Sequence, residues 1–172
     1  MLRPRPRVSR RGASVRTVTP LAIVQHDRAG YVVSTDAARL DVDAIHGFLR
    51  GAYWSPGVPR GVVERSIANS VCFGLYDPSD EQAGFARAVT DRAVFAYLAD
   101  LFVLPAHRGR GLGVWLVECV LAHPALQGLR RINLATADAH GLYERFGFRS
   151  PAHPERELEL RPDSQSVHLR RD

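Results

Sequence analysis

The spacing of apolar positions lays out most of the chain. Tyr31–Ser34 reads as a short strand. Asp41 is a good N-cap for a helix that carries Val42, Ile45 and Leu49 on one face. A turn-rich loop, Tyr53-Trp54-Ser55-Pro56-Gly57-Val58-Pro59, follows, and Pro59 suits the start of a second helix over 60–69. Val71–Tyr76 and 83–89 read as strands joined by the turn Asp77-Pro78-Ser79-Asp80. Phe95–Val103 is nearly all apolar, which predicts a central strand covered on both faces, with Asp100 as its lone charge. Leu112, Trp115, Leu116, Cys119 and Val120 recur at helical spacing, so a third helix runs over 111–122. A strand over 131–135 and a short helix over 139–146, stopped by Gly147, come next. Phe148 starts a final extended stretch in which 157–160 can form an edge strand. Strand, two helices, three meandering strands, helix, strand, helix, strand is the order of a mixed α/β sheet. It is antiparallel in the middle, with a parallel crossover after the central strand.

The chain has 172 residues, the length of one domain. No apolar run reaches the ~18 residues of a membrane span, and a cytoplasmic location is expected. Cys72 and Cys119 each sit in an apolar run and read as small buried hydrophobes. All 23 basic residues are Arg, which excludes a Schiff-base lysine and a phosphate-loop lysine. The formal net charge is +5. Residues 1–26 hold six Arg and no acid, leaving 17 Arg against 18 acids in the rest, so the body carries −1. The charge therefore marks a tail and not a nucleic-acid-binding face. Residues 1–28 read as a disordered Arg-rich extension and 29–172 as the domain. The seven His are scattered without ligand spacing, so no metal site is expected.

The chemistry concentrates in Leu101-Phe-Val-Leu-Pro-Ala-His-Arg-Gly-Arg-Gly-Leu-Gly113. Gly109, Gly111 and Gly113 let the backbone turn sharply and approach a ligand. The first N–H groups of the following helix lack internal partners, which makes an anion cradle. Arg108 and Arg110 can add charge-assisted hydrogen bonds. A dinucleotide fingerprint does not fit: the spacing is Gly-x-Gly-x-Gly, and Asn133 stands where a ribose-binding acid belongs.

Arg108-Gly-Arg-Gly-Leu-Gly113 resembles the acyl-CoA pyrophosphate motif of the GCN5-related N-acetyltransferase (GNAT) family, Arg/Gln-x-x-Gly-x-Gly/Ala. Ala139-His-Gly-Leu-Tyr-Glu-Arg-Phe-Gly-Phe148 is similar to the family's C-terminal Ala-x-x-Leu-Tyr-x-x-x-Gly-Phe segment. The resemblance spans about residues 31–150. It implies a mostly antiparallel sheet splayed at its fourth and fifth strands, counting Tyr31–Ser34 as the first, with flanking helices. It implies acetyl-CoA as co-substrate, with backbone groups of Leu101 and Val103 toward the pantetheine and Arg108 to Gly113 on the pyrophosphate. It also implies Tyr143 as the acid that protonates the leaving thiolate. Thr136 stands where the family often has Asn, and its hydroxyl can make a weaker version of the same contact. Tyr53, Trp54 and Arg60 lie in or beside a loop that often walls the acceptor site in this family; the aromatics can equally cap the core. Asp100 is either a general base or cation-binding group, or the partner of an Arg. His140 either lines the cleft or is a solvated turn residue, and Asp138 reads as a helix cap.

The activity implied is transfer of an acetyl group to a primary amine of a small molecule by direct attack. The alternatives are a non-catalytic acyl-CoA sensor module and a protein N-terminal or side-chain acetyltransferase. A homodimer is compatible with the resemblance.

Overall fold

The computed structural model describes residues 20–161. Six strands form one sheet in chain order: β1 (Gln25–Arg28), β2 (Tyr31–Ser34), β3 (Val71–Tyr76), β4 (Gln82–Thr90), β5 (Phe95–Val103) and β6 (Arg131–Asn133). Every neighbouring pair is antiparallel except β5–β6, which is parallel. Helices α1 (Val42–Leu49) and α2 (Arg60–Ala68) separate β2 from β3. Helix α3 (Leu112–Ala122) makes the crossover from β5 to β6, and α4 (His140–Glu144) follows β6. The mixed, mostly antiparallel sheet with flanking helices is the fold expected.

Local chemistry explains the boundaries. The Asp41 carboxylate accepts from the Ala44 N–H at 3.0 Å and starts α1. The Asp77 carboxylate accepts from Ser79 and Glu81 N–H groups and closes the β3–β4 turn. Gly147, at φ +83°, ends the turn after α4.

Two cores lie on opposite faces of the sheet. Trp115, Leu116, Cys119 and Val120 of α3 pack with Val33, Phe73, Leu75, Ala88 and Leu98. On the other face Ile45, Leu49 and Val63 of α1 and α2 pack with Cys72, Phe85 and Phe102. Both cysteines are buried and free.

Three expectations change. The domain does not begin at residue 29: Gln25–Arg28 pairs in register with Tyr31–Ser34, and the Val24 N–H donates to the Thr35 hydroxyl at 2.8 Å. Gln-His-Asp-Arg is polar because this is an edge strand with little to bury, so hydropathy gives no signal. The part of the extension over 1–19 lies outside the described residues. Phe95–Val103 is not covered on both faces, since Phe95 and Tyr97 are exposed where α1 and α2 do not reach. Residues 157–160 form no strand: Leu158 and Leu160 are exposed, and an Arg131–Glu157 ion pair at 3.1 Å ties the segment to β6.

Candidate active site

The site lies where the sheet opens. β5 and β6 pair only at Phe95↔Arg131, Ala96↔Ile132 and Tyr97↔Asn133. Beyond Tyr97, β5 is paired only to β4, so these are the two strands expected to splay. β5 also bulges: Phe85 faces Phe102 and Arg87 faces Ala99, so three steps of β5 match two of β4. The bulge sits at Asp100, whose φ is +54°. A left-handed non-glycine residue costs on the order of 1 kcal/mol, least for Asp and Asn. Such a bulge re-aims the backbone that follows it, here Leu101 to Val103.

A cleft of about 710 Å³ opens here. Its walls are Leu101 to Val103, the segment from His107 to Val114 except Arg110, Phe48 with Gly51 to Trp54, and Asp138, Ala139, Leu142 and Tyr143.

One end is a glycine cradle. Gly109 and Gly111 have φ +76° and +74°, and a Cβ built on either would meet nothing within 4 Å. Gly111 is the N-cap of α3, and no side chain caps the helix, so its first N–H groups are open to an anion. This arrangement fits a pyrophosphate. The two arginines are partly engaged. Arg108 Nε donates to the Val103 carbonyl at 2.9 Å, and Arg110 Nη1 donates to the Tyr31 hydroxyl at 3.0 Å. A guanidinium has five N–H donors, so each keeps donors for a ligand. Tyr31 also bonds His107 Nδ1 at 3.2 Å. Sequence reasoning missed Tyr31 and His107, because no local pattern marks contacts across 76 and 79 residues.

At the other end stands Tyr143, buried on α4 and edge-on to Phe148 at 5.7 Å. Its hydroxyl has no hydrogen bond among the described residues. Burial, with Tyr53 and Asp138 alongside, pushes its phenol above the ordinary tyrosine value. Tyr53 and Trp54 reach across the splay. The Tyr53 hydroxyl accepts from the Ala137 N–H at 2.9 Å and donates to Asp138 at 3.4 Å. Trp54 Nε1 donates to Asp100 at 3.2 Å. The two rings meet edge-to-face at 4.9 Å.

Asp100 is ion-paired: Oδ2 accepts from Arg87 Nε and Oδ1 from Trp54. Of its two readings, the structure shows the Arg partnership. Lone charges at Arg87 and Asp100 in neighbouring apolar strands were the available signal. Arg60 does not reach the cleft; it binds Asp43 and, at 2.8 Å, Glu64, which ties α1 to α2. Thr136 accepts from the Ala139 N–H at 3.0 Å in the turn before α4, and no side chain caps α4: Asp138, expected as its cap, lines the cleft instead. His140 lines a separate pocket of about 310 Å³ with Thr136 and the other side of Tyr143.

A sequence model of the acetyltransferase (GNAT) domain matches residues 68–150. A candidate acetyltransferase from Gibberella zeae is 36% identical over 138 residues, covering 67% of this chain and 77% of that protein. A crystal structure of a candidate GNAT-family acetyltransferase from Xanthomonas campestris pv. campestris is 48% identical. It superposes with a TM-score of 0.74 and covers 77% of this chain and 93% of that one. The fold is shared as well with a candidate acetyltransferase from Clostridium acetobutylicum solved with acetyl-CoA. That structure has a TM-score of 0.56 at 14% identity, covering 76% of this chain and 94% of that one. Splayed strands, glycine cradle and these relatives agree: the chain belongs to the GCN5-related N-acetyltransferase (GNAT) family of acetyltransferases.

Proposed function

We propose that the chain transfers the acetyl group of acetyl-CoA, the donor its family uses, to a primary amine of a small molecule by direct attack. The observation that carries this reading is a single cleft lined by both the open glycine cradle and a buried tyrosine whose hydroxyl has no hydrogen bond among the described residues.

Arg108, Arg110 and the N–H groups at the start of α3 hold the pyrophosphate. Backbone along the unpaired side of β5 at Leu101 and Val103 meets the pantetheine arm; the Val103 carbonyl already accepts from Arg108. Acetyl-CoA supplies the acetyl thioester. An N–H of β5 hydrogen-bonds the carbonyl oxygen as charge develops there. The amine nitrogen forms the C–N bond and loses a proton to solvent, and the C–S bond breaks. Tyr143, protonated at neutral pH as any tyrosine is, gives its proton to the thiolate and is reprotonated from solvent. A covalent acyl-cysteine is not part of the reaction. Burial pushes the Cys72 thiol up to about 12 and the Cys119 thiol to about 11, so neither offers a thiolate. Asp100, with both oxygens engaged, fixes Trp54 in place and does not act as a base.

The test is thiol release from acetyl-CoA with a panel of primary amines, matched to N-acetyl product by mass spectrometry. Thiol and acetylated amine in equal amounts support the reading. Tight binding of acetyl-CoA with no transfer to any amine makes the chain an acyl-CoA sensor and overturns it.

A further inference from the structure

We propose that the acceptor is a monoamine with an aromatic or otherwise bulky apolar body, held against Tyr53 and Trp54 with its ammonium toward Asp138. This rests on the acetyl-transfer reading above and names the substrate class.

Two large aromatic side chains stand open in the cleft: Tyr53 is 54% exposed and Trp54 42%. Aromatic rings left exposed in a concave, rigid site are the usual mark of a ligand surface. Their polar tips are already used by the protein. The Tyr53 hydroxyl is bonded to the Ala137 N–H and to Asp138, and the indole N–H to Asp100. What remains for a ligand is ring face. These rings are held on both sides of the splay, since Asp100 is itself fixed by Arg87. Behind them Phe48 stacks on Phe102 at 3.9 Å, which extends the apolar wall.

Charge narrows the class further. Among the residues lining the cleft there is one carboxylate, Asp138, beside two basic groups, His107 and Arg108, at the cradle end. Asp138 and Tyr143 line the same cleft from the two sides of the start of α4, which puts the carboxylate at the end of the cleft that holds the acid of the transfer step. One exposed carboxylate balances one ammonium. A polyamine or an aminoglycoside would bring several, and the extra charges would meet ring faces, His107 and Arg108 with no acid opposite. An ammonium beside aromatic faces gains cation–π attraction, and an aryl body gains stacking. The ammonium form is drawn in by Asp138 and loses a proton to water before the nitrogen attacks.

The experiment is steady-state kinetics of the full chain with 2-phenylethylamine and tryptamine against spermidine, kanamycin and a peptide with a free N terminus. Acetyl-CoA binding is measured separately by calorimetry. The arylalkylamines are expected to show kcat/KM at least about tenfold above each of the others. Trp54→Leu keeps an apolar side chain and removes the ring face. It is expected to lower kcat/KM for 2-phenylethylamine about tenfold more than kcat/KM for ethylamine, a ratio that cancels any loss common to both amines. Faster turnover of spermidine, kanamycin or the peptide overturns the proposal while leaving acetyl transfer intact. So does an equal loss for both amines in Trp54→Leu. Binding of acetyl-CoA with no arylalkylamine turnover also overturns it. No binding of acetyl-CoA at all is a failure of the acetyl-transfer reading instead.

Discussion

Burial of Tyr143 and an unbonded hydroxyl act in the same direction. Burial disfavours the phenolate, so the side chain holds its proton above the ordinary tyrosine range near 10. The free hydroxyl has nothing to surrender before it donates. Tyr143→Phe keeps the packing on Phe148 and is expected to lower kcat about 10²–10⁴-fold with little change in KM for acetyl-CoA, read by thiol release. Because the phenol is raised, the Tyr143-dependent alkaline fall of the wild-type rate should be centred above the ordinary tyrosine value near 10 and be absent in Tyr143→Phe. Tyr76 is a different case. It is fully buried, its hydroxyl has no partner among the described residues, and burial pushes its phenol to about 12. A proton held more tightly in the folded state gives stability that is complete below the unfolded value near 10 and lost as pH rises toward 12. Tyr76→Phe removes both the orphan hydroxyl and this titration. We expect a gain of up to about 1 kcal/mol in urea unfolding at pH 7 and a shallower loss of stability above pH 10.

Among the elements, the join between β5 and α3 controls donor binding. Gly111 caps α3 at φ +74°, where a β-branched residue is disfavoured by more than about 1–2 kcal/mol. Gly111→Val is expected to move the cradle and weaken acetyl-CoA at least about tenfold by calorimetry. Its melting temperature should drop only a few degrees, since no atom lies within 4 Å of the new Cβ. Gly84 is the opposite kind of glycine. A Cβ there would lie 2.6 Å from the Phe102 carbonyl oxygen and 3.0 Å from Leu75, beside the bulge that aims β5 at the cleft. Gly84→Ala should destabilise the chain by about 1–3 kcal/mol, measured by denaturant midpoint, because the backbone has to give way.

At the scale of the molecule, the ordered sheet starts earlier than hydropathy indicates. Deleting residues 1–19, whose composition is Arg-rich and poor in patterned apolar residues, is expected to leave the melting temperature within about 2 °C. Deleting through Arg28 removes β1, its register with β2 and the Val24–Thr35 bonds, and should lower it by several degrees. Scanning calorimetry of the two truncations separates these outcomes. Transfer rates should follow the same division, since β1 and β2 support Tyr31, the partner of Arg110 and His107.

What was legible from residues alone was whatever a short window decides. Helical spacing in α3, the caps at Asp41 and Gly147, the turn at Asp77 and the runs of β3 and β5 are all set by neighbours within a few positions. The same holds for the glycine cradle, whose φ values only glycine adopts at low cost, and for the segment that places Tyr143 on α4. Tertiary structure decided everything that depends on which distant groups meet. Arg60 looked like a cleft residue and became a tie between two helices, because Asp43 and Glu64 lie within its reach. Asp138 looked like a helix cap and lines the cleft, while α4 starts with no side-chain cap. Asp100 found its partner only when β4 and β5 paired around a bulge, and Trp54 found Asp100 only when the loop crossed the splay. Polar β1 became a strand because the edge of β2 offered unpaired N–H and C=O groups, a demand that hydropathy does not register.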